Sequence, residues 1–253
     1  MSPRITLAVA ARVLTQLRRD HRTLAMLLVL PCLVLTLLWW MFEGRAGRSQ
    51  GFDTLGPPLL ALIPFVVMFL VTSVTTLRER SSGTLERLLA MPTGKGDFLG
   101  GYAVAFGLVA AVQSVLAVAL SHWVLGLEVA GPVSMLVVVA VVDAVLGTAL
   151  GLLVSAFART EFQAVQFMPA LVIPQLLLCG LFVPREAMPR LLEVVSDALP
   201  LSYAVDAMAS VSRTAGTGFG GVDAGAWSDV AVVLAFTVGA LVLGAATLRR
   251  RTA

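Results

Sequence analysis

Three features of the sequence predict an all-α membrane protein with six transmembrane helices. Hydrophobic residues fill 58% of the 253 positions and charged residues only 13%, about half the charged share of an ordinary soluble domain. The apolar residues fall into uncharged runs of about 20 or more, the length that crosses roughly 30 Å of hydrocarbon as a helix. The charges cluster between those runs, as membrane-flanking charges do. A chain so composed cannot cover its apolar area in water, and its net charge of +3 points to lipid flanks rather than to nucleic acid.

The expected spans are residues 23–42, 54–77, 98–124, 132–158, 162–184 and 230–248, in one transmembrane domain covering 1–253. None of the runs alternates as barrel strands do, so helices must satisfy the backbone. The first run exceeds a signal-peptide core and is expected to persist as a helix. Ahead of it, Ile5, Val9, Val13 and Leu17 recur at four-residue spacing, with Arg12, Thr15, Gln16 and Arg19 elsewhere around the helix. This reads as an amphipathic helix in the cytoplasmic interface. Residues 185–211 are too apolar for a solvated loop, yet Pro189 and Pro200 break them. They read as short external helices re-entering toward the membrane between spans five and six. The glycine-rich stretch 214–225 reads as a loop.

Six spans put both termini on one side. Of the 18 Lys and Arg residues, 13 fall on that side, against Arg45, Arg48, Arg185, Arg190 and Arg213 opposite. The richer side belongs in the cytoplasm. Only Lys95 is a lysine, and this arginine bias, with abundant Ala, Val and Leu, hints at a GC-rich bacterial genome.

Few residues carry the pattern of a reactive site. Cys32 and Cys179 each sit in an apolar run, as packed thiols do, and no cluster suggests a metal. No HExxH or nucleophile–base spacing points to an enzyme. Gly94-Lys95 lacks the glycine and hydroxyl residue of a phosphate-binding loop. Asp143 interrupts the fourth span, where a carboxylate costs at least ~2.5–3.5 kcal/mol. It reads either as a substrate or proton site, or as a group hydrogen-bonded in helix packing; an ion-coupled secondary transporter or channel is the alternative built on it. Gly147 and Gly151 form a GxxxG pair that allows close helix approach, within the subunit or across a dimer. Pro31, Pro64, Pro169 and Pro174 are expected to kink their helices. Arg159 and Glu161 flank a short turn, for which snorkelling suffices.

The most informative polar stretch is Arg78 to Gly101. The pattern predicts a short helix that Ser82 or Gly83 can cap, with Glu86 placed to reach back to the cap and Leu85, Leu88 and Leu89 on one apolar edge before Pro92 and Gly94. Such a helix docks into a partner, packs on the chain's own ends, or lies on headgroups.

Arg78, Glu79, Gly83, Thr84, Leu85, Glu86, Leu88, Leu89 and Pro92 together resemble the cytoplasmic loop of ABC transporter type-2 permeases. Gly180-Leu181-Phe182-Val183-Pro184, Met188-Pro189 and Leu199-Pro200-Leu201-Ser202-Tyr203 resemble that family's segment after the fifth helix, with Cys179 and Leu199 departing from its usual residues. The resemblance implies a type V exporter fold: two six-helix subunits, a homodimer, around a central path. It implies two partner ATPase subunits that bind ATP and Mg, with no cofactor in this chain. Arg80, Gly83, Thr84, Leu85, Glu86, Leu88 and Leu89 would couple to the ATPase. Phe65, Met68, Phe69, Gln163, Gln166 and Phe167 would line the path, and Leu181, Phe182 and Pro184 the external gate. The implied cargo is a hydrophobic drug-like or antibiotic-like small molecule leaving across the cell membrane, with lipid or polysaccharide as alternatives.

Overall fold

The computed structural model describes residues 2–43, 48–81, 95–216 and 219–247. Among the described residues there is no strand, and the helices follow in the order α1 (Pro3–Arg19), α2 (His21–Glu43), α3 (Arg48–Ser81), α4 (Lys95–Ala119), α5 (Val133–Phe157), α6 (Glu161–Leu178), α7 (Arg190–Asp197), α8 (Pro200–Arg213) and α9 (Ala224–Thr247). A π-helical turn, Leu120–Val124, extends α4. Six of the helices, α2, α3, α4, α5, α6 and α9, are long and apolar enough to cross a membrane.

The helix ends follow local chemistry more closely than hydropathy does. The 34 residues of α3 rise roughly 50 Å at 1.5 Å each, well past the hydrocarbon, so its last turn carries Arg78 and Arg80. By contrast α6 stops at Leu178, six residues short of the end expected from the apolar run. Gly180 takes a φ of +89°, a conformation that favours glycine, and the chain turns there although Leu181, Phe182 and Val183 remain apolar.

At the centre stands α5, packed along α3, α4, α8 and α9. Its GxxxG pair is used inside the subunit. A Cβ at Gly147 would collide with the Phe65 carbonyl, and one at Gly151 would lie 2.6 Å from the Phe69 carbonyl. The two backbones therefore meet where α5 has no side chain.

The apolar stripe of α1 turns onto the bundle. Ala10, Val13 and Leu17 join a buried cluster with Phe98, Leu99, Tyr102 and Phe106 of α4. Gly101 admits the approach, since a Cβ there would lie 2.6 Å from the Val9 side chain. The Ser2 amide donates to the Asp97 carboxylate at 2.6 Å and fixes the start of α1 to that of α4. At the periphery, α2 and α6 bury little. Met26, Leu33, Leu37 and Trp40 on α2, and Phe162, Val165, Ile173 and Leu177 on α6, stay exposed.

Candidate functional site

Successive residues of a helix point about 100° apart, and the last turn of α3 sends three side chains to three other helices. The Nε and Nη2 of Arg78 donate to the two carboxylate oxygens of Glu161 on α6, each at 3.0 Å. Glu79, nearly buried, accepts from Arg12 Nη2 of α1 at 3.3 Å. Arg80 donates from Nη1 to the Ser155 carbonyl of α5. Below the Arg78–Glu161 pair, Leu77, Ala158 and Ala164 form a small buried cluster, with Val74 and Phe167 against it.

The entry into α6 is capped from both sides. Thr160 Oγ1 accepts from the Gln163 N–H at 3.1 Å, and Gln163 Oε1 accepts from the Arg159 N–H at 2.9 Å. This is the reciprocal logic of a capping box, with the returning bond one residue earlier than usual. Across the same end of the bundle, Asp20 separates α1 from α2 and caps the latter. Its carboxylate accepts from the Thr23 N–H at 3.2 Å and from the Thr23 hydroxyl at 2.6 Å. The bond from the Thr23 hydroxyl is the main cause of an Asp20 pKa below its ordinary value.

Of the coupling residues expected from the sequence, Arg80 lies in this junction, whereas Gly83, Thr84, Leu85, Glu86, Leu88 and Leu89 lie outside the described residues. The path residues separate into different settings. Phe65, Met68 and Phe69 are fully buried in the subunit's own core, Phe65 and Phe69 where their carbonyls meet the α5 glycines and Met68 in the cluster shared with α4. Phe167 packs against the small cluster of Leu77, Ala158 and Ala164. Gln163 is occupied as a cap, and Gln166 is exposed. A partly exposed edge of α3 runs through Leu59, Ile63, Val66 and Leu70. Its three- and four-residue spacing is readable in the sequence, but every face of α3 is apolar, so polarity gives no reason to choose it. Glu161, which snorkelling alone would explain, is held in a two-pronged ion pair.

Asp143 is fully buried, and neither carboxylate oxygen has a hydrogen-bond partner among the described residues. One turn earlier on α5, the Ala140 carbonyl accepts from Ser114 Oγ of α4 at 3.1 Å.

At the other end of the bundle, the turn after α6 is locked by polar contacts. Arg185 pairs with Asp197 at the end of α7 and with Asp206 on α8, and its guanidinium lies 5.3 Å from the Tyr203 ring centre. Tyr203 donates to the Asp197 carbonyl at 2.8 Å, and Ser196 Oγ to the Leu178 carbonyl at 2.7 Å. Burial pushes the Asp206 carboxyl above its usual range, against the opposing pull of Arg185. In this frame Leu181 packs on the core, while Phe182 and Pro184 are exposed. No sequence periodicity announces such a group, because its members come from three separate segments.

Comparison with known proteins agrees with this architecture. The model of the ABC-2 type transporter family matches residues 5–212. The chain is similar to the probable multidrug ABC transporter permease YbhR of Escherichia coli (strain K12), 30% identical over 59% of this chain and 41% of that protein. It is similar to the linearmycin resistance permease protein LnrN of Bacillus subtilis (strain 168), 24% identical over 66% of this chain and 41% of the relative. ABC transporter G family member 20 of Dictyostelium discoideum is 26% identical over 65% of this chain and 22% of its own length. Each alignment thus spans well under half of the relative.

Proposed function

This chain belongs to the ABC-2 type transporter family, and from that premise we propose that it is the membrane permease subunit of an ATP-driven exporter. The observation that carries the reading is the last turn of α3. Arg78, Glu79 and Arg80 tie it to α6, α1 and α5 immediately before residues 82–94, where the sequence places a short helix with the apolar edge Leu85, Leu88 and Leu89. A segment joined so directly to three helices suits the delivery of movement from a partner into the bundle.

In this reading residues 82–94 and both termini face the cytoplasm, as the arginine distribution requires. The helix in that segment docks in a cleft of a separate ATPase. Two such ATPases, with their ATP and Mg, serve a pair of permease subunits around a central path. Helix α1 lies along the cytoplasmic interface with its polar face outward, and α7 and α8 sit as re-entrant helices beside the external gate. The host is a bacterial plasma membrane. The cargo is a hydrophobic drug-like or antibiotic-like molecule, a class favoured by the words multidrug and linearmycin resistance in the relatives' names; lipid is the alternative.

Replacing Leu88 or Leu89 with Asp tests the coupling role. Membrane insertion is expected to survive while co-purification with a P-loop ATPase is lost. Transport that proceeds in proteoliposomes without ATP or an ATPase would overturn the exporter reading.

A further inference from the structure

We infer that Arg78, Glu161 and the apolar cluster beneath them form a mechanical joint that delivers movement of residues 82–94 into α6, with Arg78 and Glu161 as positioning residues. The inference rests on the exporter reading and deepens it.

Two residues 83 positions apart in sequence, on α3 and α6, meet at this joint through an ion pair with both prongs at 3.0 Å. The fork geometry matters, because a guanidinium held by two parallel bonds fixes orientation as well as distance. Arg78 and Glu161 are largely exposed, at 64% and 47%, so the pair adds little to stability by itself. What it sets is register. The contact area comes from Leu77, Ala158 and Ala164, with Val74 and Phe167 against them. Small, smooth alanines would let α6 slide along the end of α3 were the ion pair absent.

The far side of the joint is stiffened where force would arrive. Glu161 lies in the first turn of α6, between the Thr160 cap and the returning Gln163 side chain, so a pull on its carboxylate moves the helix instead of fraying it. On the near side, Arg78 is three residues before Ser81, the last residue of α3. By contrast, α5 and α6 are joined directly through the short turn at Ala158–Thr160. Besides its turn to α5 and its contacts with α7 and α8, α6 is thereby attached to α3, whose last residue stands immediately before residues 82–94.

The test uses the permease assembled with its ATPase in inside-out vesicles. Phe162, the next residue along and 72% exposed, is replaced by Cys, and its rate of modification by a membrane-impermeant maleimide is compared without nucleotide and with ATP. With Arg78 and Glu161 intact, ATP is expected to change the rate several-fold. Arg78→Ala or Glu161→Ala should abolish that change while the complex still assembles and hydrolyses ATP. Arg78→Lys, which keeps the charge but not the fork, should restore part of it. The exchange Arg78→Glu with Glu161→Arg should restore most of it, which a merely structural role would not require. An ATP-dependent change that persists in the single variants, or an exchange that assembles without restoring it, overturns the joint alone. No ATP-dependent change in the chain with both residues intact, despite a bound and active ATPase, overturns the exporter reading and the joint with it.

Discussion

A Cβ at Gly147 would meet the Phe65 carbonyl, and one at Gly151 would come within 2.6 Å of the Phe69 carbonyl and 3.1 Å of Thr72 Cβ. Backbone cannot step aside as the end of a flexible side chain can, so α3 and α5 must separate to admit a larger residue. Gly147→Val or Gly151→Val is expected to cost about 1–3 kcal/mol, the usual range for overpacking, read as a lowered thermal midpoint of the purified protein. At Gly239 on α9 an added Cβ would meet nothing within 4 Å, so Gly239→Ala should not destabilise and should raise stability by up to about 1 kcal/mol through helix propensity. The glycine spacing is legible in the sequence; its partner is not, because a period of four marks a face without saying what covers it. Asp143 shows the same division. Its position in a span is plain, whereas its complete burial without a partner among the described residues depends on how α5 is surrounded.

At the scale of elements, α1 and α2 are separated by a single residue. Asp20 ends one helix and caps the next through Thr23, which fixes the angle at which α1 leaves the first span. Asp20→Ala should weaken this elbow by about 0.5–2 kcal/mol, seen as faster amide exchange in the first turn of α2. Acid should have the same effect. Because the folded pKa lies below the ordinary value of 3.8, the stabilisation is present above that value and fades as pH falls through the lowered pKa. Loss of protection in this turn already at about pH 6, well above both pKa values, would contradict the assignment. The stripe that makes α1 amphipathic is readable from Ile5, Val9, Val13 and Leu17. That it packs on α4 is not, since an apolar face suits lipid and protein equally. The cap at Thr160 and Gln163 is present as a Thr-x-x-Gln pattern. The apolar run beginning beside it hides it.

For the whole molecule, charge counting predicts the direction of insertion, which is open to direct measurement. Ala187→Cys, in the turn before α7, should react with an impermeant maleimide added to intact cells. Ala11→Cys, on the exposed side of α1, should react only after the membrane is opened. The reverse pattern would invert the topology and remove residues 82–94 from the cytoplasm. The sequence by itself determined the class of the protein, the number of spans and the segments with family character, because bilayer thickness converts directly into the length of an apolar run. Only the tertiary structure decided which apolar faces are shared. In lipid every face of a span is apolar, so hydropathy cannot distinguish the α3 surface that meets Gly147 and Gly151 from the one that looks outward. It also decided which charges act together. Arg78 and Glu161 lie 83 residues apart, and nothing in either local sequence names the other; they meet because α5, packed against α3, returns the chain to the end of the bundle at which α3 finishes.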